Sequence, residues 1–157
     1  MRAMADRAAT ARAALVALLL IWAGMLIGVS FLASPAKFAA PSLTLPVALD
    51  VGRQVFGTFS RAEIGLALAT FLLALASRRG IGPAWLVLGL IWLIVAVQSF
   101  LLLPVLDARV GMILKGVQPP PAPWHVVYVA LEVTKLVTLV AAAWLCARHL
   151  GAARSAA

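Results

Sequence analysis

The chain has 157 residues, of which 64% are hydrophobic and 11% charged, and its mean hydropathy is +1.07. Soluble domains carry about 25% charged residues, so this composition excludes a soluble globular protein and predicts an integral membrane protein. The net charge is +8, but the basic residues are scattered at segment ends, which argues against a nucleic-acid-binding surface. The single cysteine, Cys146, excludes an internal disulfide, and we expect it to serve as a small apolar residue.

Four apolar segments are long enough for membrane helices, which need about 20 residues each. They lie at about residues 13–33, 56–77, 83–103 and 124–147, and they predict an all-α bundle of four transmembrane helices in one membrane domain. We expect the first helix to be retained, because its apolar stretch exceeds the roughly 7–15 residues of a signal peptide. Pro46 suits a first helical turn, so the second helix is predicted to extend back to about residue 46.

The connections between these segments are marked by basic residues and prolines. Arg78 and Arg79 predict a tight basic turn between the second and third helices. Pro104 is predicted to end the third helix. The loop that follows, residues 104–123, finishes in a proline-rich run that predicts a stiff polyproline-like spacer.

The distribution of basic residues favours a topology with both chain ends inside the cell. With the N-terminus inside, seven basic residues fall on the inner side: Arg2, Arg7, Arg12, Arg78, Arg79, Arg148 and Arg154. Four fall on the outer side: Lys37, Arg53, Arg109 and Lys115. The sequence therefore predicts a multi-pass protein of the inner (cytoplasmic) membrane, with the lipid bilayer as its surroundings.

Polar side chains recur along one face of the fourth segment. His125, Tyr128, Glu132 and Lys135 fall within about 80° of one another on an α-helix. A charge in the hydrocarbon core costs about 2.5–3.5 kcal/mol even on lenient scales. Glu132 and Lys135 are therefore expected to face protein, water or each other.

Polar residues of the other helices reach a similar depth. At about 1.5 Å per residue, Arg61, Gln98 and Glu132 lie at one level roughly 24 Å from the inner arginines. Glu63 and Lys135 lie close to that level. Because the second and fourth helices run parallel, Arg61 is expected to pair with Glu132, and Glu63 with Lys135, in a layer whose charges sum to zero.

Three interpretations of this layer stay open. Its ion pairs fix helix packing, or Glu132 forms a proton, ion or substrate site that opens through Tyr128 and His125, or Arg61 and Glu63 extend to the interface. A metal site is disfavoured, because the two histidines, His125 and His149, lie at opposite ends of one helix. No cofactor is predicted.

Two short motifs recur in the two halves of the chain. Leu20-Ile21-Trp22 returns as Leu90-Ile91-Trp92, and Ser30-Phe31-Leu32-x-x-Pro35 returns as Ser99-Phe100-Leu101-x-x-Pro104. Each half consists of an uncharged helix followed by a charged one. The pattern suggests a parallel repeat of two hairpins, an arrangement known among transporters.

The chain resembles the DUF4149 or TMEM205-like membrane proteins in its layout of four short helices. The resemblance rests on Phe31-x-x-x-Pro35-x-x-Phe38 at the end of the first helix and on Gly52-x-x-x-Phe56 in the second. That family carries His, a small polar residue and Asn at the spacing of His125, Tyr128 and Glu132, so Tyr and Glu replace Ser and Asn here. The resemblance implies the four-helix fold and no particular activity.

The sequence favours a structural or accessory membrane protein, or one that docks a membrane-protein partner. The alternative is a small proton-coupled transporter or permease that uses Glu132, as a homo-oligomer because four helices enclose little space. A membrane enzyme ranks last, since no nucleophile–base pair, metal set or phosphate loop is recognised, and we predict no enzymatic activity. Glu132→Gln is expected to unfold the protein if the layer only packs helices, and to leave a folded but inactive protein if Glu132 couples transport.

Overall fold

The computed structural model describes residues 2–77 and 81–154, and within them every regular element is helical. Four helical stretches are long and apolar enough to cross a membrane, and we call them the first to fourth spans: Asp6–Phe38, Leu45–Ala76, Ala84–Leu114 and Trp124–Arg148. The predicted all-α class and the four apolar helices are thereby confirmed. The basic turn predicted at Arg78 and Arg79 lies outside the described residues.

The first span contains a π-helix that precedes a proline. Helix α1 (Arg2–Leu26) continues through a π-helix (Ile27–Ala33) into the short α2 (Ser34–Phe38). The Ser34 N–H donates to the Val29 carbonyl, five residues back, which is the bond that defines a π turn. Pro35 then falls in the first turn of α2, where a proline is tolerated. The helix therefore runs about five residues beyond the predicted end at residue 33.

The second span is one helix, α3 (Leu45–Ala76), of 32 residues. Pro46 lies in its first turn, as the sequence indicated. Thr44 precedes the helix in an extended conformation, but its side chain makes no capping hydrogen bond. The helical part thus begins well before the apolar stretch at about residues 56–77.

The third span does not end at Pro104, and that prediction is wrong. Helix α4 (Ala84–Val97) passes through a π-helix (Gln98–Leu102) into α5 (Leu103–Leu114), with the proline in its first turn. A proline ring collides with the carbonyl four residues earlier in a regular α-helix. The wider π turn, in which the Leu103 N–H donates to the Gln98 carbonyl, precedes the proline and allows the helix to continue.

Helix α5 ends instead at a glycine. Gly116 has a φ of 75°, a left-handed conformation that glycine adopts without strain. Its N–H donates to Ile113, and the Val117 N–H donates to Met112, so the last carbonyls of the helix are satisfied. The first half of the loop predicted at residues 104–123 is therefore helical, and only its proline-rich end, residues 117–123, leads to α6 (Trp124–Arg154).

The spans pack in a ring in which each contacts the two beside it. Helix α6 packs against α1 on one side and α4 on the other, while α3 packs against α1 and against α4 and α5. The first and third spans are therefore diagonal to each other, and so are the second and fourth. Any side-chain contact between α3 and α6 must cross the middle of the bundle.

The bundle is layered along its axis. An apolar core fills the half that contains both chain ends: Leu15, Leu19, Ala74, Leu88, Leu139, Ala142 and Cys146. Trp22 and Leu26 are fully buried at the end of this core that is farther from the chain ends, which we call its top. Above it lies a buried polar cluster, and above the cluster the helices enclose cavities.

Candidate functional site

Lys135 is the centre of the buried polar cluster. Its side chain is 0% exposed, and its Nζ lies 2.6 Å from Glu63 Oε1 and 2.7 Å from Glu132 Oε1. The ammonium also donates to Gln98 Oε1 at 2.8 Å. An ammonium has three donors, so each of its N–H groups has an acceptor.

Glu132 is held by residues of three spans. Its Oε1 accepts from Lys135 and, at 2.9 Å, from Gln98 Nε2. Its Oε2 accepts from Ser30 Oγ at 2.5 Å, in the π-helix of the first span. Gln98 lies in the π-helix of the third span, so each π-helix directs one polar side chain to this carboxylate.

Glu63 joins the cluster from the second span. Its Oε1 accepts from Trp22 Nε1 at 3.0 Å as well as from Lys135. The pairing of Glu63 with Lys135 expected from the sequence is therefore present, and it crosses the diagonal of the bundle. Because their spans are not neighbours, this ion pair supplies a direct link across the bundle.

The cluster contains two carboxyl groups for one ammonium. Glu63 and Glu132 are each 1% exposed and Gln98 is 2% exposed, so little water reaches them. With both carboxylates ionised the three groups would carry one net negative charge, and an uncompensated buried charge is costly. This differs from the neutral layer of four charges that the sequence indicated.

Arg61 accounts for that difference, because it lies outside the cluster. It is exposed, and its Nη2 donates to Thr58 Oγ1 at 3.1 Å on the same helix. The expected pairing of Arg61 with Glu132 is wrong. Two residues along a helix correspond to about 200°, so Arg61 faces outward where Glu63 faces inward.

Replacing Arg61 by glutamine is expected to change the free energy of unfolding by less than about 0.5 kcal/mol, because exposed side chains away from packed features contribute little. The measurement is the thermal midpoint of the purified protein in a mild detergent, beside wild type. A loss as large as that of a variant in the polar cluster would contradict the exposed position of Arg61.

The other two residues of the polar face predicted on the fourth segment, Tyr128 and His125, lie beside the cavities. Tyr128 is buried, its ring makes an edge-to-face contact with Phe56 at 5.6 Å, and its carbonyl accepts from Gln98 Nε2 at 3.3 Å. His125 is exposed. Both line the cavities above the cluster.

Two adjoining cavities lie above the cluster. The smaller, of about 290 Å³, is bounded by Ser30, Tyr128 and Glu132, so it reaches the polar cluster itself. The larger, of about 530 Å³, extends among the ends of all four spans. Phe38, Phe56 and Tyr128 are among the residues that line both cavities.

Two members of the cluster, Trp22 and Ser30, escaped the sequence analysis. Neither is charged, and both lie in a segment without ionisable residues, so depth counting from charges does not detect them. The signal that could have found them is the recurring motifs, each of which contains one of the two. The second copy of the serine, Ser99, also bonds across helices, since it accepts from Ser60 Oγ at 2.7 Å.

Among the described residues, no group of three or more His, Cys, Asp or Glu side chains is placed to hold a metal ion. Comparisons with protein-family models, curated proteins and solved structures found no match to this chain. The function must therefore be argued from the site alone.

Proposed function

We propose that the protein is a non-enzymatic accessory protein of the cytoplasmic membrane, in which the polar cluster holds four helices in one arrangement. The observation that carries the proposal is that every span contributes to a single buried hydrogen-bonded network: Trp22 and Ser30, Glu63, Gln98, and Glu132 with Lys135. Lipid chains are as apolar as leucine, so helices in a bilayer associate through packing and polar contacts. Because each polar side chain must point toward its partner, the network determines which face of each helix packs against the others.

The proposal includes a topology with both chain ends inside. Seven basic residues against four support it by the positive-inside rule. A homo-oligomer or a membrane-protein partner would then contact the lipid-facing surfaces.

The parallel repeat of two hairpins also belongs to this proposal. Its support is local: the Ser30 and Ser99 motifs both begin within π-helices, and both lead to a proline in a first helical turn. The π-type bonds join Ser34 to Val29 and Leu103 to Gln98, which are equivalent positions when the motifs are superposed. Membership of the DUF4149 or TMEM205-like proteins stays a proposal, supported by the motifs and the four-helix layout.

A proton-coupled transporter is the second candidate, and one observation favours it. The smaller cavity reaches Glu132, which shares a single ammonium with Glu63. Carboxyl groups inside membrane spans that face a cavity are typical of the proton pathways of transporters. His125 and Tyr128 line the same cavity and would form the path outward.

Proton flux distinguishes the two candidates. Purified protein is reconstituted into liposomes that enclose a pH-sensitive dye, and a pH gradient is imposed. The accessory function predicts that wild type leaks protons no faster than empty liposomes. Flux above that background that is lost in Glu132→Gln and kept in Arg61→Gln would reject the accessory function in favour of coupling, because Glu132 lies in the buried cluster and Arg61 lies outside it.

A further inference from the structure

The larger cavity combines apolar walls with cationic side chains. Its volume of about 530 Å³ lies within the range of about 300–1,000 Å³ typical of small-molecule sites. Phe38, Phe56, Leu103, Val110 and Ile113 supply apolar walls. Lys37, Arg53 and Arg109 supply positive charge, and Asp107 is the acidic residue of the lining.

Lys37 has no carboxylate partner among the described residues. Its Nζ lies 5.0 Å from the ring centre of Phe38 and 5.4 Å from that of Phe56, so two aromatic faces hold the ammonium over the cavity. Gly52 makes this position available, because a Cβ added there would overlap the Lys37 ammonium. The ammonium thus lies between two aromatic rings and makes no ion pair with a described carboxylate, so its donors are left for a ligand.

The other cations of the cavity differ in how they are balanced. Arg53 Nε lies 3.1 Å from Asp107 Oδ1 and 3.8 Å from Asp50 Oδ1, so this guanidinium is already neutralised. Arg109 forms no ion pair with any residue that the structure describes. Neither Lys37 nor Arg109 is paired within the described part of the chain, and together with Arg53 and its two carboxylates they give this region one excess positive charge beside an apolar wall.

We propose that this cavity binds an anionic amphiphile, with a phosphate or carboxylate head on Lys37 and Arg109 and a hydrocarbon chain along Phe38 and Phe56. A guanidinium and an ammonium are the side chains that proteins use for such anions. The aromatic and aliphatic walls offer apolar contact to the hydrocarbon chain beside the two cationic side chains. A membrane lipid and a free alkyl phosphate share this chemistry.

Native mass spectrometry of the full chain, released from a neutral detergent, measures binding directly. The probes are dodecyl phosphate, phosphatidate, phosphatidylcholine and inorganic phosphate. We expect a one-to-one adduct with at least one of the first two, about tenfold or more tighter than with phosphatidylcholine or inorganic phosphate. Stronger binding of phosphatidate than of dodecyl phosphate identifies a lipid ligand, and the reverse order identifies a soluble one.

Variants then locate the adduct. Lys37→Gln and Arg109→Gln are each expected to weaken it about tenfold to a hundredfold, and Lys115→Gln, which removes an exposed lysine outside the cavity, to leave it unchanged. Gly52→Ala keeps every charge but displaces the Lys37 ammonium, so it should also weaken binding. Equal adducts with anionic and zwitterionic probes, or equal losses in Lys37→Gln and Lys115→Gln, would overturn the proposal.

Discussion

Replacement of Lys135 by methionine is expected to destabilise the protein by about 3–5 kcal/mol, the cost of removing one partner from a buried charged group. Methionine approximates the length of the aliphatic stem, but it leaves Glu63 and Glu132 facing each other without the ammonium that both contact. The thermal midpoint in mild detergent, followed by tryptophan fluorescence, should fall by roughly 6–20 °C.

The matched control is Lys115→Met, which makes the same chemical change at an exposed position. Its stability should stay within about 0.5 kcal/mol of wild type. Equal midpoints for the two variants would show that the cluster does not hold the bundle together, and the accessory function proposed above would lose its main support.

Neutralising both carboxyl groups should rescue the Lys135→Met protein. The triple variant Glu63→Gln/Glu132→Gln/Lys135→Met carries no charge in the cluster, and its amides can still accept from Trp22 and Ser30. We expect it to recover about 2 kcal/mol or more of the lost stability. Replacing all members of a buried ionic group by uncharged residues often leaves the free energy of unfolding almost unchanged. Thermal midpoints of the single and triple variants measure the coupling.

A charge-matched control separates local from general effects. Asp50→Asn and Asp107→Asn, added to Lys135→Met, remove two carboxylates whose side chains are about half exposed and which, within the described part of the chain, pair with Arg53. They should give no rescue. If both triple variants recover equally, the destabilisation reflects overall charge and not the contacts of Lys135.

The same reasoning revises the expectation for Glu132→Gln. The single variant leaves one carboxylate, Glu63, with one ammonium, so it should cost clearly less than Lys135→Met. Loss of fold is therefore no longer the signature of a packing role for Glu132, and the liposome assay carries that distinction.

Apolar length accounts for the part of the fold that the sequence predicts well. Four long apolar stretches, two of them without any charged residue, had to be helices, because backbone groups in a bilayer must be satisfied within the segment. Pro104 misled the prediction because a proline ends a regular α-helix, whereas a π turn before it allows the helix to continue. The sequence rule for proline contains no information on the preceding turn.

The polar cluster was predictable where charged residues lie on the same face of a helix and at the same depth. Glu132 and Lys135 are three residues apart and share a face, and Glu63 matches their depth. Depth alone could not choose between Arg61 and Glu63, which point in nearly opposite directions, and only the packing of α3 decides. Trp22 and Ser30 were missed because an indole and a hydroxyl in an apolar segment look like ordinary membrane residues until an acceptor lies beside them.

The diagonal ion pair has a consequence for biosynthesis. A chain is made from its N-terminus, so Glu63 leaves the ribosome some seventy residues before Lys135. Until the last helix is inserted, this carboxyl group lacks the ammonium that faces it across the bundle, since Arg61 at a similar depth points outward, and the first three helices form an incomplete bundle. A chain truncated before the fourth helix would keep Glu63 without the Lys135 ammonium. This unpaired carboxyl group is a chemical difference by which membrane quality control could recognise an incomplete protein.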